Sequence, residues 1–176
     1  MQDGPEDLPV SRPLLLTVGL MYVLVSGAGF ALGQYGQFPE GAPGSPMLLR
    51  LALAVIVDLG FALAFMWVLL FYFGRQGRFP QAMTAVLGTG TIFSALALPC
   101  MLAVLVARDL GEDSAAGGSL LLAATVGLIV LMLWSLGVLA HIISRTVASG
   151  YGMGVALAAL SFFLNYQVFQ LLVPGY

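Results

Sequence analysis

The chain has 176 residues, of which 60% are hydrophobic and only 8% charged. A soluble domain carries about 25% charged residues, so this composition excludes a water-coated globule and points to lipid as the solvent for most of the chain. The formal charge of −2 implies little by itself, but the sequence holds no basic patch for nucleic acid, and a single Cys (Cys100) with a single His excludes an intrachain disulfide and a Cys/His zinc centre.

In chain order, Asp3, Glu6 and Asp7 come first, and Arg12 is the only side-chain cation before the first apolar run. A secretory signal opens on a positive region, so the first apolar segment reads as a retained helix. A spanning helix needs about 20 mainly apolar residues. Five segments qualify: residues 13–33, 47–73, 81–107, 120–144 and 151–173. Pro13 suits the first turn of its helix. The second segment is long enough to tilt. Pro39, Pro43 and Pro46 mark a loop before the second segment. Residues 74–80 form a short turn, residues 108–118 an acidic small-residue loop, and residues 145–150 a tight hairpin. The expected fold is an all-α, polytopic membrane helix bundle of five spans in one transmembrane domain. Unequal segments and dissimilar loops speak against an inverted repeat.

Orientation follows from arginine near the helix ends. All six basic residues are Arg, and four (Arg12, Arg75, Arg78, Arg145) lie on the N-terminal side against two (Arg50, Arg108) on the other. The N-terminus is expected inside and the C-terminus outside. The Ala, Gly and Leu abundance with no Lys fits a bacterial chain, and hence an inner membrane.

Membrane helices associate where small residues let backbones approach. Ser26, Gly29 and Gly33 in helix one, and Thr84, Gly88, Thr91 and Ala95 in helix three, form such stripes. Intramolecular packing is the plainer use of them, and a homo-oligomer face the other. Pro99 removes a backbone donor inside helix three and predicts a kink.

Asp58 is the sharpest feature. It lies about eleven residues, or about 15 Å, into helix two, flanked by Ala54, Val55, Val57 and Leu59. A carboxylate at mid-helix costs about 2.5–3.5 kcal/mol to insert, so it should face the bundle interior or a wet cavity. Asn165 of helix five, Cys100 of helix three and Ser26 of helix one lie at comparable depth, and Asn165 is the best partner because its amide donates to a carboxylate. Arg50 is about 12 Å away along the helix, too far for a direct bond. Asp58 then serves either as a structural hydrogen-bonding group or as a proton or cation relay. His141 and Arg145 lie one turn apart near the inner interface, on a face with Trp134 and Gly137. They read as an interfacial site, with headgroup contact or proton donation the alternative. Helix five is the most polar span: Ser161 and Asn165 share one face, and Gln167 and Gln170 point nearly opposite. Tyr151, Tyr166 and Tyr176 fit an aromatic belt. The glycines between Gly150 and Gly154 follow no strand and have no Lys nearby, which argues against a phosphate loop.

The opening Gly4-Pro5-Glu6-Asp7-Leu8-Pro9-Val10-Ser11, leading directly into helix one, and the helix end from Trp134 to Gly150 with its tight hairpin resemble bacterial Yip1-like membrane proteins and related small inner-membrane families. The resemblance implies the five-span plan and transfers no functional residue.

Helix-to-helix contact without catalysis is therefore the first expected role. The chain would be a non-enzymatic scaffold or small subunit working with a membrane-protein partner, and would need no cofactor or metal. The alternative is a small transporter or proton-coupled component using Asp58. An intramembrane enzyme would need Asp58, Asn165 and His141 to converge.

Overall fold

A computed structural model describes residues 12–35, 45–111 and 114–173. The Gly4–Ser11 opening, Pro39, Pro43, Glu112, Asp113 and Tyr176 lie outside the described residues. Five long helices follow one another: α1 (Arg12–Tyr35), α2 (Ser45–Tyr72), α3 (Phe79–Asp109), α4 (Ala115–Val147) and α5 (Tyr151–Leu172). A single 3-10 turn, Gln76–Arg78, precedes α3. All five helices are long and apolar enough to cross a membrane.

Local chemistry sets the boundaries, and in places moves them from the sequence expectation. Pro80 takes a first-turn position, so α3 starts at Phe79 rather than residue 81. Ser114 caps α4, its hydroxyl accepting from the Gly117 N–H at 2.9 Å. That cap converts residues 115–118 from expected loop to helix and shortens the α3–α4 connection. At its other end α4 runs on to Val147, because Ala148 adopts a left-handed conformation (φ 54°) that turns the chain into α5. Helix α3 continues unbroken across Pro99.

The helices form a closed ring in the spatial order α1, α3, α4, α5, α2, with α2 also touching α3. Close approach explains this order. Gly29 and Gly33 of α1 face Met101 of α3, and Gly88 of α3 faces Val18 of α1. The small-residue stripes thus pack α1 on α3 within one chain. Thr84 and Thr91 return their hydroxyls to the Pro80 and Leu87 carbonyls, both at 2.8 Å, and so satisfy themselves within α3. Between α4 and α5 the tightest point is Gly154, where any Cβ would overlap the Ala140 carbonyl oxygen.

The packed core sits at the end of the bundle where the short turn and the hairpin lie. Met66 and Leu70 of α2, Met83 and Leu87 of α3, Ala140 and Ile143 of α4, and Ala158 of α5 are buried together there. The outward faces carry large apolar groups, among them Leu16 at 73% and Leu171 at 78% exposure. In water such surface would drive aggregation. In lipid it costs nothing, and the helices hold together through shape and buried polar contacts instead.

Candidate functional site

Helices α1, α2 and α5 meet at Asp58. Asn165 of α5 donates from Nδ2 to Oδ1 of Asp58 at 3.0 Å. Tyr22 of α1 donates its hydroxyl to Oδ2. The two carboxylate oxygens are therefore each held by a different helix, and all three residues are half-buried. Ser26, one turn along α1 from Tyr22, is buried.

Depth makes the Tyr22 contact possible. Tyr22 lies thirteen positions before the end of α1 at Tyr35, and Asp58 thirteen positions after the start of α2 at Ser45. Antiparallel neighbours of equal depth bring those side chains level. Gly90 of α3 makes room for the ring: a Cβ there would stand 2.8 Å from Tyr22 Cε2. Sequence reasoning passed over Tyr22 and Gly90. The signal for Tyr22 was present, since counting eleven residues back from Gly33, as Asp58 is counted in from Met47, arrives at it.

Two cavities adjoin the cluster. The first, of about 310 Å³, is central: Tyr22 of α1, Asp58 of α2, Gly90 of α3, Ser135 of α4 and Asn165 of α5 all line it. It extends from the Asp58 level down to Met66 and Leu87 of the packed core, about 12 Å along α2 at 1.5 Å per residue. The second, of about 440 Å³, lies toward the C-terminal end of α5 and is lined by Phe30, Tyr166, Phe169 and Gln170. Asp58, Phe162 and Asn165 belong to both walls. The carboxylate and its amide partner thus stand where the two cavities meet.

The rest of the sequence-read residues fall elsewhere. Gln170 and Asn165 both line the second cavity. A five-residue step turns the helix by about 140°, short of opposition, and the cavity is broad enough to take both. Gln167 is exposed on the outside of α5. Cys100 packs beside α4, with a Cβ at Gly127 falling 3.1 Å from its sulfur, and lines neither cavity. Arg50 is exposed near the start of α2. His141 and Arg145 are exposed on α4 and do not join Asp58. Arg78 ties this end of α4 down, donating from Nη1 to the Arg145 and Thr146 carbonyls at 3.4 and 3.5 Å.

An all-α chain with five spanning helices and a polar cluster between them is a multi-pass membrane protein, its apolar faces turned to lipid. No family model, no curated protein and no solved structure matches it.

Proposed function

We propose that this protein is a small, non-enzymatic transport component of a bacterial inner membrane, with Asp58 as its working acid. The observation that carries this reading is the position of Asp58 in the shared wall of two cavities. A carboxylate inside a membrane is expensive and marks ion or proton pathways when it borders a cavity. A purely structural hydrogen bond needs no space on either side.

Asp58 has partners that suit both protonation states. As a carboxylate it accepts from Tyr22 and Asn165. As an acid it keeps one acceptor oxygen and gains a donor, and the unpartnered Oδ1 of Asn165 is a buried acceptor within the same cluster. Among the described residues, Tyr22 is the only other titratable group lining the central cavity, and Tyr166 joins on the neighbouring one. Proton exchange at Asp58 then re-sorts the hydrogen bonds among α1, α2 and α5, which couples a charge to helix positions. The arginine count supports a cytoplasmic N-terminus and an external C-terminus, so the second cavity lies on the outer half and the packed core on the inner half.

Reconstituted vesicles with an imposed pH gradient and a lumenal pH dye test this. Wild-type protein should carry protons, and Asp58→Asn should abolish the flux while keeping its thermal unfolding profile. Equal flux in the two, including none in either, overturns the proposal.

One observation favours a second reading. Gln167 is an exposed amide on the lipid side of α5, next to the exposed Tyr166. An amide facing lipid gains by meeting a partner helix, which fits a scaffold or small subunit in a homo-oligomer or with another membrane protein. Crosslinking through Gln167→Cys in native membranes tests it, and a strict monomer sinks it. The Yip1-like resemblance supplies no residue to either reading.

A further inference from the structure

We propose that the central cavity binds an organic ammonium ion: one cationic N–H donor group carried on an apolar, aryl-sized body. This deepens the reading of Asp58 as the working acid and rests on it.

The lining sets the charge. Among the described residues that line the cavity, Asp58 is the one formally charged residue, and none is Arg, Lys or His. A cation seated there neutralises the carboxylate at short range in a low-dielectric site. An anion would meet only repulsion, and a neutral apolar guest would leave the carboxylate without a counter-charge.

Hydrogen bonding sets the donor character. Five hydroxyl groups line the cavity, on Tyr22, Thr89, Ser94, Ser135 and Ser161. Four of these already donate: Tyr22 to Asp58, Thr89 to the Ala85 carbonyl, Ser135 to the Met132 carbonyl and Ser161 to the Ala158 carbonyl. A hydroxyl has one proton and two acceptor lone pairs, so what these four offer a guest is acceptance. The Asn165 Oδ1, with no partner among the described residues, stays buried beside Asp58 and is not part of this wall. A wall of acceptors around one carboxylate matches a guest with several N–H donors.

Aromatic rings set the body. Phe61, Phe65, Phe93 and Phe162 share the lining, and Phe61 and Phe65 stack at 5.8 Å between centroids. Ring faces attract a cation within about 6 Å and equally pack an aryl or alkyl body. A hydrated inorganic ion makes poor use of four phenyl rings. Ammonium docking at Asp58 and protonation of Asp58 are mutually exclusive, since both neutralise the same carboxylate. On an ionised Asp58 the ammonium docks with no bond broken; on a protonated Asp58 the O–H proton leaves to water as the ammonium takes its place.

The test is equilibrium binding by isothermal calorimetry to the full chain in detergent, using three probes of one shape: 2-phenylethylammonium, 2-phenylethanol and 3-phenylpropionate. The ammonium should bind saturably and at least tenfold more tightly than the other two. Asp58→Asn should weaken the ammonium at least tenfold and leave the alcohol unchanged. Ala62→Phe, which fills the cavity from α2 and keeps the Asp58 carboxylate, should weaken every probe and guards against a misfolded Asp58 variant. Equal affinity for ammonium and alcohol, no saturable ammonium binding, or full binding by Ala62→Phe each overturns the assignment. The vesicle assay above stays separate. Proton flux without ammonium binding removes this guest and keeps the transport reading, whereas ammonium binding without flux keeps the site and removes transport.

Discussion

Asn165 and Asp58 lie 107 positions apart in the chain, yet their side chains meet at 3.0 Å between α5 and α2. Tyr22 closes the same carboxylate from α1. One acid therefore ties three helices together, and its neighbours set the energies that can be tested.

Removing one arm should cost less than removing the acid. Tyr22→Phe and Asn165→Ala each delete one hydrogen bond, and buried side-chain bonds in membrane proteins average about 0.6 kcal/mol with a maximum near 1.7. Asp58→Leu should cost more than either, because it strands a donor on two helices. Reversible unfolding in mixed micelles would give the order. A Tyr22→Phe variant less stable than Asp58→Leu contradicts it.

Gly90 seats the Tyr22 ring. Gly90→Ala should push the ring away from Asp58 and destabilise the protein by about 1–3 kcal/mol, the usual range for overpacking. The clash is with ring atom Cε2 at 2.8 Å, so it should largely vanish in a Tyr22→Ala background. A double-mutant cycle measures the coupling, and an additive result rejects the contact.

Two further glycines give opposite expectations. Gly154→Ala drives a Cβ into the Ala140 carbonyl, a backbone atom that cannot rotate away, so α4 and α5 must separate. Its cost should reach or exceed about 3 kcal/mol, the top of the overpacking range. Gly60 in α2 has open space around its Cβ position, so Gly60→Ala should be neutral or stabilise by up to about 1 kcal/mol through helix propensity. Thermal stability of the purified variants decides both.

Orientation can be read directly. A C-terminal alkaline phosphatase fusion should be active, and an N-terminal one inactive, if the N-terminus is cytoplasmic. Reversing Arg75 and Arg78 to Glu should weaken this preference, because they supply two of the four inner arginines. An inactive C-terminal fusion in the unmodified chain reverses the assignment of inner and outer cavities.

The sequence by itself determined the five helices, their approximate limits, and the helix-level depth that makes Asn165 a partner for Asp58. These are properties of single segments: apolar length, a proline or glycine at a break, a residue's distance from its helix end. It misjudged the start of α4, where the Ser114 cap extends the helix into an expected loop. Lateral arrangement was decided only by the tertiary structure. In lipid an apolar residue has the same surroundings on either face of a helix, so hydrophobic patterning does not say which side turns inward. That choice rests on close fits such as Tyr22 over Gly90, and on the one costly carboxylate that all three helices must satisfy. The ring order, the Tyr22 arm and the two cavities follow from those fits, which a linear reading of the chain does not contain.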